Sequence, residues 1–291
     1  MCSNFPAAAK TFIMPETDIT KPIDLSTHAE GTGPKRFRQP VYVDFMPPCN
    51  SACPAGQNIQ AWMAHAQAGD YFTAFQTMME DCPFPAIMGR VCVKPCETGC
   101  NRNHIDTTIN IHAVERYIGD EAINKKWEVK LTAKPTGKKV LIVGAGPGGL
   151  SAAYHLKRMG HDVEIYDAGT HPGGLLWTGV PDYRLPKEIL DAEINRIVKM
   201  GVNIRLNYKV TDILTEKDAG NFDAVYLAIG AQLIHTEEFP QDKSVYVTDA
   251  FSFFNEVKSN TSPYIQKKVV VYGGGKLALY ISRMIKRFGS A

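Results

Sequence analysis

A glycine-rich loop between an apolar strand and a helix constrains the fold of this chain more than any other feature. Four β-forming residues at 140–143 lead into Gly144, Gly146 and Gly149, and a helix-type run follows over residues 150–159. This spacing of three glycines, placed after a strand and before a helix, is typical of the first turn of a dinucleotide-binding α/β fold. The sequence therefore predicts a Rossmann-type unit in the middle of the chain.

Each part of this loop has a physical role in holding a dinucleotide. Gly144 permits the tight turn, Gly146 lets the backbone approach a pyrophosphate, and Gly149 lets the helix pack closely on the strand. The free N–H groups at the helix N-terminus attract phosphate. A second strand at 163–166 ends on Asp167, roughly 20 residues after the loop, where an acid binds ribose hydroxyls. A purely structural strand–turn–helix would leave the glycines and the acid unexplained.

Composition narrows the class of protein. A chain of 291 residues is long enough for about two domains. A formal charge of +2, with no arginine-rich run, gives no indication of nucleic-acid binding. No apolar run approaches the roughly 20 residues of a membrane helix, and no secretory signal opens the chain. We therefore expect a cytoplasmic protein without membrane insertion.

Five of the seven cysteines cluster at short spacings beside Pro and Gly, which indicates metal ligation in a reducing compartment rather than disulfides. They are Cys49, Cys53, Cys92, Cys96 and Cys100. Thiolates suit iron–sulfur clusters or zinc. Zinc knuckles more often use pairs separated by two residues, and His104 is the nearest histidine, which favours iron–sulfur. Buried structural thiols are the remaining alternative, and they are the interpretation that we favour for Cys82.

The rest of the chain reads as alternating elements. Residues 1–40 are proline-rich and irregular, either a loose arm or a strap that docks on another domain or subunit. Helices are predicted at 59–68, 71–80, 109–123 and 187–200, with a linker at 133–137. A strand at 203–206 and a buried apolar strand at 224–229 follow, and the latter ends in Gly230 and Ala231, where α/β folds place ligands.

A second fingerprint closes the sequence. Two lysines lead a predicted strand at 269–272 into Gly273, Gly275 and Ala278, and a helix follows. Two fingerprints in one chain suggest a relay between two nucleotides. The sequence stops one strand and one helix into this unit, so we expect either a fragment or a site that another chain completes.

The cysteine segment, the first fingerprint, a Gly-Gly-Leu-Leu stretch, an Arg-Leu-Pro-Lys stretch and the second fingerprint share one order with a known family. Over residues 40–291 the chain resembles the small subunit of glutamate synthase and the amino-terminal part of dihydropyrimidine dehydrogenase. The resemblance implies an α-helical iron–sulfur domain ahead of a Rossmann-type FAD domain, with the start of a second Rossmann-type domain for NAD(P). The implied ranges are an irregular arm at 1–40, an iron–sulfur domain at 41–134, an FAD domain at 135–262 and an incomplete NAD(P) domain at 263–291.

The resemblance also assigns residues to cofactors. It places FAD on Gly144, Ala145, Gly146, Pro147, Gly148, Gly149, Asp167, Gly174, Leu175, Arg184, Ile229, Gly230 and Ala231. It places the nicotinamide nucleotide on Gly273, Gly275, Lys276 and Ala278. After the second fingerprint the family usually has Asn and Thr, and then Asp four residues after the Asn. Lys276, Leu277 and Tyr280 occupy these positions here, which weighs against normal NAD(P)H binding by this chain alone.

For the cysteines, the resemblance implies a single [4Fe-4S] cluster. Two-cluster members of the family have two further cysteines, at positions that are Val41 and Asp44 here. Cys53, Cys92 and Cys96 match the second cluster, whose fourth ligand aligns with Glu115. Cys49, Cys100 and Glu115 all stay open as the fourth ligand.

The function that this resemblance implies is that of an electron-transfer oxidoreductase subunit. It would pass electrons between NAD(P)H, FAD and one iron–sulfur cluster, to or from a redox partner in a hetero-oligomeric complex. No separate acid–base catalytic residue is assigned. The alternatives are a non-catalytic docking subunit that retains FAD or the cluster, and a zinc-stabilised flavoprotein.

Overall fold

The computed structural model describes residues 46–231, 246–258, 265 and 268–290. The predictions for the arm at 1–40 and for positions Val41 and Asp44 lie outside these residues. Among the described helices, none is both long and apolar enough to cross a membrane.

The first part of the described chain is helical. Its elements are α1 (Pro48–Ala52), α2 (Ile59–Gln67), α3 (Tyr71–Met78), α4 (Pro85–Val91), α5 (Pro95–Thr98), a 3-10 turn (Asn101–His104) and α6 (Ile111–Asn124). Side-chain caps set two starting points: Asn58 accepts the Ala61 N–H at the start of α2, and Asp70 accepts the Thr73 N–H at the start of α3. The helices predicted at 59–68, 71–80 and 109–123 are confirmed to within two residues.

Two glycines let α4 and α6 cross with almost no side chain between them. A Cβ placed on Gly89 would lie 2.4 Å from the Cα of Arg116, and one on Gly119 would lie 2.3 Å from the backbone nitrogen of Ala86. This close crossing packs Ile87 and Ile118 into the fully buried core. It also fixes the C-terminal end of α4 against the helix that carries Glu115.

The second part is an α/β unit. Its elements are β1 (Lys139–Val143), α7 (Pro147–Arg158), β2 (Asp162–Tyr166), α8 (Leu175–Thr178), α9 (Lys187–Lys199), β3 (Asn203–Arg205), α10 (Ile213–Ala219), β4 (Ala224–Leu227), α11 (Ala250–Lys258) and α12 (Lys276–Arg287). The sheet order is β3-β2-β1-β4 and every neighbouring pair is parallel. The predicted Rossmann-type α/β unit after a helical domain is therefore confirmed.

Two strand predictions are wrong. The strand predicted as buried at 224–229 is β4, which ends at Leu227 and is largely exposed, because it lies at one edge of the described sheet and pairs only with β1. The strand predicted at 269–272 is not formed: these residues make no ladder with any described strand, and Val270 is 93% exposed. An apolar run becomes a strand only where partner strands satisfy its backbone groups.

The helical and α/β parts share a buried interface. The Tyr154 hydroxyl on α7 donates to the Met79 carbonyl, 2.5 Å away, and the Arg158 guanidinium, one turn further along α7, donates to the Glu80 carbonyl, 2.6 Å away. Both carbonyls follow α3. Because Met79 and Glu80 end a helix, their carbonyls lack partners within that helix, and α7 supplies the donors.

A buried ion pair on α9 extends this interface. Glu193 Oε1 lies 2.8 Å from Arg196 Nη1, and both side chains are almost fully buried. The Arg196 guanidinium also lies over the Phe75 ring on α3, 5.1 Å from its centroid. Removal of either partner would leave the other as an unpaired buried charge, which would destabilise the folded protein.

Candidate cofactor sites

The first glycine fingerprint forms a tight loop between β1 and α7. Gly144 has a φ of 111°, and a Cβ there would lie 2.3 Å from the Ala228 carbonyl oxygen. A Cβ on Gly149 would lie 1.9 Å from the Gly144 carbonyl oxygen. A Cβ on Gly146, in contrast, would meet no atom within 4 Å. Two glycines are therefore required by packing, whereas Gly146 faces open space.

The acid at the end of β2 is tied to this loop. One oxygen of Asp167 accepts the Ala145 N–H at 2.6 Å, and the other accepts the Gly169 N–H at 2.6 Å. Each carboxylate oxygen has lone pairs for more than one donor, so Asp167 can still accept a hydroxyl. The acid and the loop are brought together as the sequence pattern predicts.

Two further segments approach the first fingerprint loop. Gly174 (φ 52°) approaches from the loop after β2, and a Cβ there would lie 2.9 Å from the Gly146 Cα. The neighbouring Gly173 N–H donates to the Ala145 carbonyl at 2.8 Å. After β4, Ala228 and Ile229 lie beside Gly144. The candidate residues Gly174 and Ile229 thus lie beside the loop, and Gly230 and Ala231 follow Ile229 along the chain.

This cradle has the features that a dinucleotide needs. No side chain caps the N-terminus of α7, which begins at Pro147 and continues through Gly148 and Gly149. The N-terminal amides of such a helix are a ready-made anion site. The open space at Gly146 leaves room for a pyrophosphate against the backbone. The residues present therefore fit the phosphate part of FAD.

Two candidate flavin residues have other surroundings. Leu175, at the start of α8, is 48% exposed. Arg184 contacts the helical part: its Nε donates to the Arg90 carbonyl and its Nη2 to the Val91 carbonyl, both at 3.2 Å. Arg184 thereby caps the end of α4, immediately before Cys92. The turn between α8 and α9 and the cysteine segment are in direct contact through this side chain.

The cysteines lie on neighbouring elements of the helical part. Cys49 is in α1 and Cys53 ends it, Cys92 ends α4, Cys96 is in α5, and Cys100 begins the 3-10 turn. Helices α1 and α5 pack together, since a Cβ on Gly99 would lie 3.2 Å from the Ala52 Cβ. Within the described residues, no three Cys, His, Asp or Glu side chains converge closely enough to hold a single ion.

The electrostatic neighbours of these thiols overlap at Cys53. Burial raises the pKa of Cys96 to about 11, and the charges that add to this increase belong to Cys92, Cys53 and Glu115. Burial also raises the pKa of Cys49, where the added charges belong to Cys100 and Cys53. Thiolates and a carboxylate are donors that suit an iron–sulfur cluster.

Glu115 is held in a buried hydrogen-bond chain. Gln57 Nε2 donates to Glu115 Oε1 at 3.1 Å, and Trp62 Nε1 donates to Gln57 Oε1 at 3.2 Å. Burial raises the pKa of Glu115 to about 7, and the negative charge of Glu193 adds to the increase. A cationic centre beside this carboxylate would favour its charged form. Cys82 lies in the same core and is almost fully buried, which agrees with a packing role.

The turn between Cys92 and Cys96 has an unusual backbone. Lys94 adopts a left-handed conformation with a φ of 52°, and its N–H donates to Cys92 Sγ at 3.2 Å. Its ammonium group pairs with Glu97 at 2.8 Å. Hydrogen bonds to ligand sulfurs are one of the determinants of a cluster's reduction potential.

The second fingerprint has the local form of the first one. Gly273 has a φ of 132°, and Gly275 precedes α12 as Gly146 precedes α7. Ala278 lies beside the turn, 3.8 Å from a Cβ placed on Gly273, and Lys276 is exposed at the first position of α12. Tyr280 stacks on Phe254, with ring centroids 5.4 Å apart. The loop that a nucleotide phosphate needs is present, but within residues 268–290 no strand precedes it.

Sequence reasoning did not identify several residues that shape these sites. Lys94, Gln57, Tyr154 and the Glu193–Arg196 pair received no role. The left-handed turn at Lys94 had one available signal, the Pro95 that follows it, since the residue before a proline avoids the helical region. The others act through contacts between elements far apart in sequence, which local patterns do not reveal.

Comparisons with known proteins agree with this arrangement. The family profile described as dihydropyrimidine dehydrogenase domain II, 4Fe-4S cluster, matches residues 45–127. The profile of the pyridine nucleotide-disulphide oxidoreductases matches residues 138–291. The two matches correspond to the helical and α/β parts of the structure.

Three curated relatives match most of the chain. The NADP(+)-dependent formate dehydrogenase subunit beta of Moorella thermoacetica is 32% identical over 269 residues, covering 84% of this chain and 38% of that protein. The NAD-dependent dihydropyrimidine dehydrogenase subunit PreT of Escherichia coli is 34% identical, covering 83% of this chain and 59% of that protein. The glutamate synthase [NADPH] small chain of Escherichia coli is 32% identical, covering 84% of this chain and 55% of that protein.

This chain therefore spans only 38% to 59% of the length of these relatives. Since both profiles and all three relatives agree with the sequence resemblance, the chain belongs to the pyridine nucleotide-disulphide oxidoreductase family and is related to the glutamate synthase small chain and the PreT dihydropyrimidine dehydrogenase subunit.

Proposed function

We propose that this chain works as an electron-transfer oxidoreductase subunit in the cytoplasm. Electrons would pass between NAD(P)H, FAD and one [4Fe-4S] cluster, to or from a redox partner subunit in a hetero-oligomeric complex. Two relatives are named as subunits, which supports the existence of a partner subunit. The described cysteines form no disulfide, which supports a reducing compartment. When bound, the flavin and the cluster together supply the two-electron and one-electron chemistry.

The observation that carries this proposal is the contact made by Arg184. Its guanidinium joins the turn between α8 and α9 to the carbonyls at the end of α4, one residue before Cys92. This contact supports a proposed FAD site and a proposed cluster site that adjoin within one packed unit. We propose Arg184 as a positioning residue, which holds the cysteine segment against the turn between α8 and α9.

For FAD, we propose that Gly146, Gly148 and Gly149 bind the pyrophosphate and that Asp167 binds the adenosine ribose. The uncapped N-terminus of α7 supplies amide donors, and the open space at Gly146 supplies access. Gly174 and the segment at 229–231 close the sides of this cradle.

For the cluster, we propose Cys53, Cys92, Cys96 and Glu115 as ligands. The resemblance supports this set, because Cys53, Cys92 and Cys96 match the second cluster of the family and Glu115 aligns with its fourth ligand. The Gln57 amide orients the Glu115 carboxylate, and the Lys94 N–H donates to the Cys92 sulfur. Cys92→Ser should lower the iron content sharply, because a neutral hydroxyl is a poor replacement for a thiolate.

The test is anaerobic reduction of the purified chain carrying both cofactors. We expect dithionite to bleach the flavin and cluster absorbance bands and to produce an electron paramagnetic resonance signal from the cluster. Reduction by NADH or NADPH would additionally show that the second fingerprint takes a nucleotide. Arg184→Ala should slow electron exchange between flavin and cluster. Arg184→Lys keeps the positive charge, so a comparison of the two variants distinguishes an effect of position from an effect of charge.

Two outcomes would contradict the proposal. Flavin and cluster bands that respond to none of the three reductants would support the non-catalytic docking subunit instead. Zinc in place of iron and labile sulfide in the purified protein would establish a zinc-stabilised flavoprotein.

A further inference from the structure

Cys49 and Cys100 are left without a role by the proposed cluster. The ligand set Cys53, Cys92, Cys96 and Glu115 does not include them, and the family's first cluster, in which they would serve, lacks cysteines at the Val41 and Asp44 positions. Both thiols are free in the structure. Their placement therefore calls for a separate explanation.

The two cysteines are carried by segments that pack directly together. Cys49 lies in α1, and Cys100 follows α5 at the start of the 3-10 turn. Gly99 is the contact point: a Cβ there would lie 3.5 Å from the Pro48 carbonyl oxygen and 3.2 Å from the Ala52 Cβ. The residues directly next to Cys49 and Cys100 along the chain are thus close enough that one added methyl group on Gly99 would contact α1.

The surroundings of the two thiols suit them to different roles in one reaction. Cys49 is half-buried, and its Sγ donates weakly to the Asn50 side-chain oxygen at 3.7 Å. Cys100 is only 8% exposed. Cys100 is also among the charges that act on Cys49, which agrees with their proximity. A small oxidant can reach Cys49 from solvent, and Cys100 is the neighbouring thiol that can resolve the product.

We propose that Cys49 and Cys100 form a reversible dithiol–disulfide pair beside the cluster. The inference depends on the proposed ligand set, which leaves these two thiols unbound. Transient disulfides of this type are the kind found in reducing compartments, where they act in catalysis or redox sensing.

The reaction balances with a low-molecular-weight disulfide as oxidant. Burial raises the pKa of Cys49, so this step needs a pH high enough for solvent to take the proton of the thiol. The Cys49 thiolate then attacks one sulfur of that disulfide, breaks its S–S bond and releases one small thiol. The Cys100 thiolate then attacks the Cys49 sulfur of the mixed disulfide and releases the second small thiol. The protein loses two electrons and two protons and gains one S–S bond, while the oxidant is reduced to two thiols.

The test treats the cluster-loaded protein anaerobically with oxidised glutathione, followed by alkylation, digestion and mass spectrometry. We expect loss of alkylation at Cys49 and Cys100 alone, and a linked peptide that contains both. A dithiol reductant should restore alkylation at both positions. Iron content should stay unchanged, since the cluster is not part of the reaction.

Single variants provide the controls. In Cys49→Ser, Cys100 should remain alkylatable after the oxidant, because the reachable thiol has been removed. In Cys100→Ser, Cys49 should stop at the mixed disulfide with glutathione. Cys82→Ala removes a core thiol outside the proposed pair, and the Cys49–Cys100 link should form in it as before. Its Sγ donates weakly to Glu115 Oε1 at 3.9 Å, so the iron content of this variant is measured as well.

The possible failures can be told apart. Full alkylation of both residues after the oxidant, with iron unchanged, would overturn the pair and leave the cluster assignment standing. A link between Cys49 and Cys53 would overturn the pair in the same way. Loss of iron in Cys49→Ser or Cys100→Ser would show that these thiols are ligands, which would overturn the pair and the ligand set together.

Discussion

At the residue scale, Gly146 differs from the other glycines of the first fingerprint because its open side faces no part of the chain. A Cβ there meets no atom within 4 Å. We expect Gly146→Val to fold as the parent does and to bind FAD at least roughly tenfold more weakly, since the side chain would occupy the space of the pyrophosphate. Flavin content after purification and the urea midpoint of the apoprotein would measure these two effects.

Gly149 supplies the matched control for this prediction. A Cβ at that position would lie 1.9 Å from the Gly144 carbonyl oxygen, so Gly149→Ala should lower stability as well as flavin content. Flavin bound normally by Gly146→Val would show that the fingerprint is structural only.

Glu193 makes the stability of the protein depend on pH. Burial raises its pKa to about 7, although the charges of Arg196 and Arg90 act in the opposite direction. Between about pH 4.5 and 7 the folded protein holds a proton that the unfolded chain has lost, so this contribution to stability is present at low pH and disappears as the pH rises. Relative to Glu193→Gln, the parent should lose up to about 1.4 kcal/mol per pH unit across this window.

Urea unfolding from pH 5 to 8 would measure that difference. Glu188, which is exposed on the same helix, is the control, and Glu188→Gln should run parallel to the parent. Parallel curves for Glu193→Gln would mean that Glu193 stays charged in the folded protein throughout, held by its ion pair with Arg196.

At the scale of elements, the crossing of α4 and α6 positions the segment that carries Cys92 and Cys96. Gly119→Ala would place a methyl group 2.3 Å from the Ala86 nitrogen and force the helices apart. We expect a loss of about 1–3 kcal/mol in the free energy of unfolding, as for other overpacked cores. Iron content should fall as well, because α4 ends at Cys92 and α6 carries Glu115.

Gly148→Ala is the control for adding a methyl group to a helical glycine. A Cβ at Gly148 meets nothing within 4 Å, so this variant should be as stable as the parent or more stable by about 0.4–1 kcal/mol. Equal stability of Gly119→Ala and Gly148→Ala would show that α4 and α6 can separate without cost.

The elements that the sequence predicted well are those whose pattern is local. The first fingerprint, with its strand, loop and helix, is such a case, and so are the amphipathic helices α2, α3, α6 and α9. The prediction of a strand at 269–272 was wrong because an apolar run does not reveal whether partner strands are available. The prediction that β4 is buried was wrong for the same reason. Gly89 and Gly119 lie 30 residues apart in the sequence, and only the fold shows that both serve one crossing.

The cofactor sites follow the same division. The contact of Asp167 with the first loop was predictable, because its distance from the loop is fixed by one strand and one helix. The choice of the fourth cluster ligand between Glu115 and the leftover cysteines was not predictable, because it depends on how α1, α5 and α6 pack, and it stays a proposal. Arg184 illustrates the limit most clearly, since the peptide carbonyls that it contacts lie more than 90 residues earlier.

At the scale of the whole molecule, the helical and α/β parts should unfold together. The donors of Tyr154 and Arg158 and the buried ion pair on α9 join the two parts. We expect loss of cluster absorbance and release of flavin fluorescence to share one transition in a thermal scan. The double variant Tyr154→Phe and Arg158→Ala should lose about 1 kcal/mol for each hydrogen bond and should separate the two signals.

Lys157→Ala is the control, because this neighbour on the same helix pairs with Asp162 inside the α/β part. It should leave the two signals in one transition. Two separate transitions in the parent protein would mean that the parts fold independently despite their shared interface.

The position of α7 between the two parts has a consequence for protein engineering. Its first turn forms the phosphate cradle, and Tyr154 and Arg158 near its other end hold the carbonyls that follow α3. A helical domain grafted onto another flavoprotein would lose these donors unless the last turns of the host's nucleotide helix were replaced too. Exchange of domains between relatives should therefore succeed when the crossover lies after residue 158, and fail when it lies in the linker at 133–137 that the sequence alone would suggest.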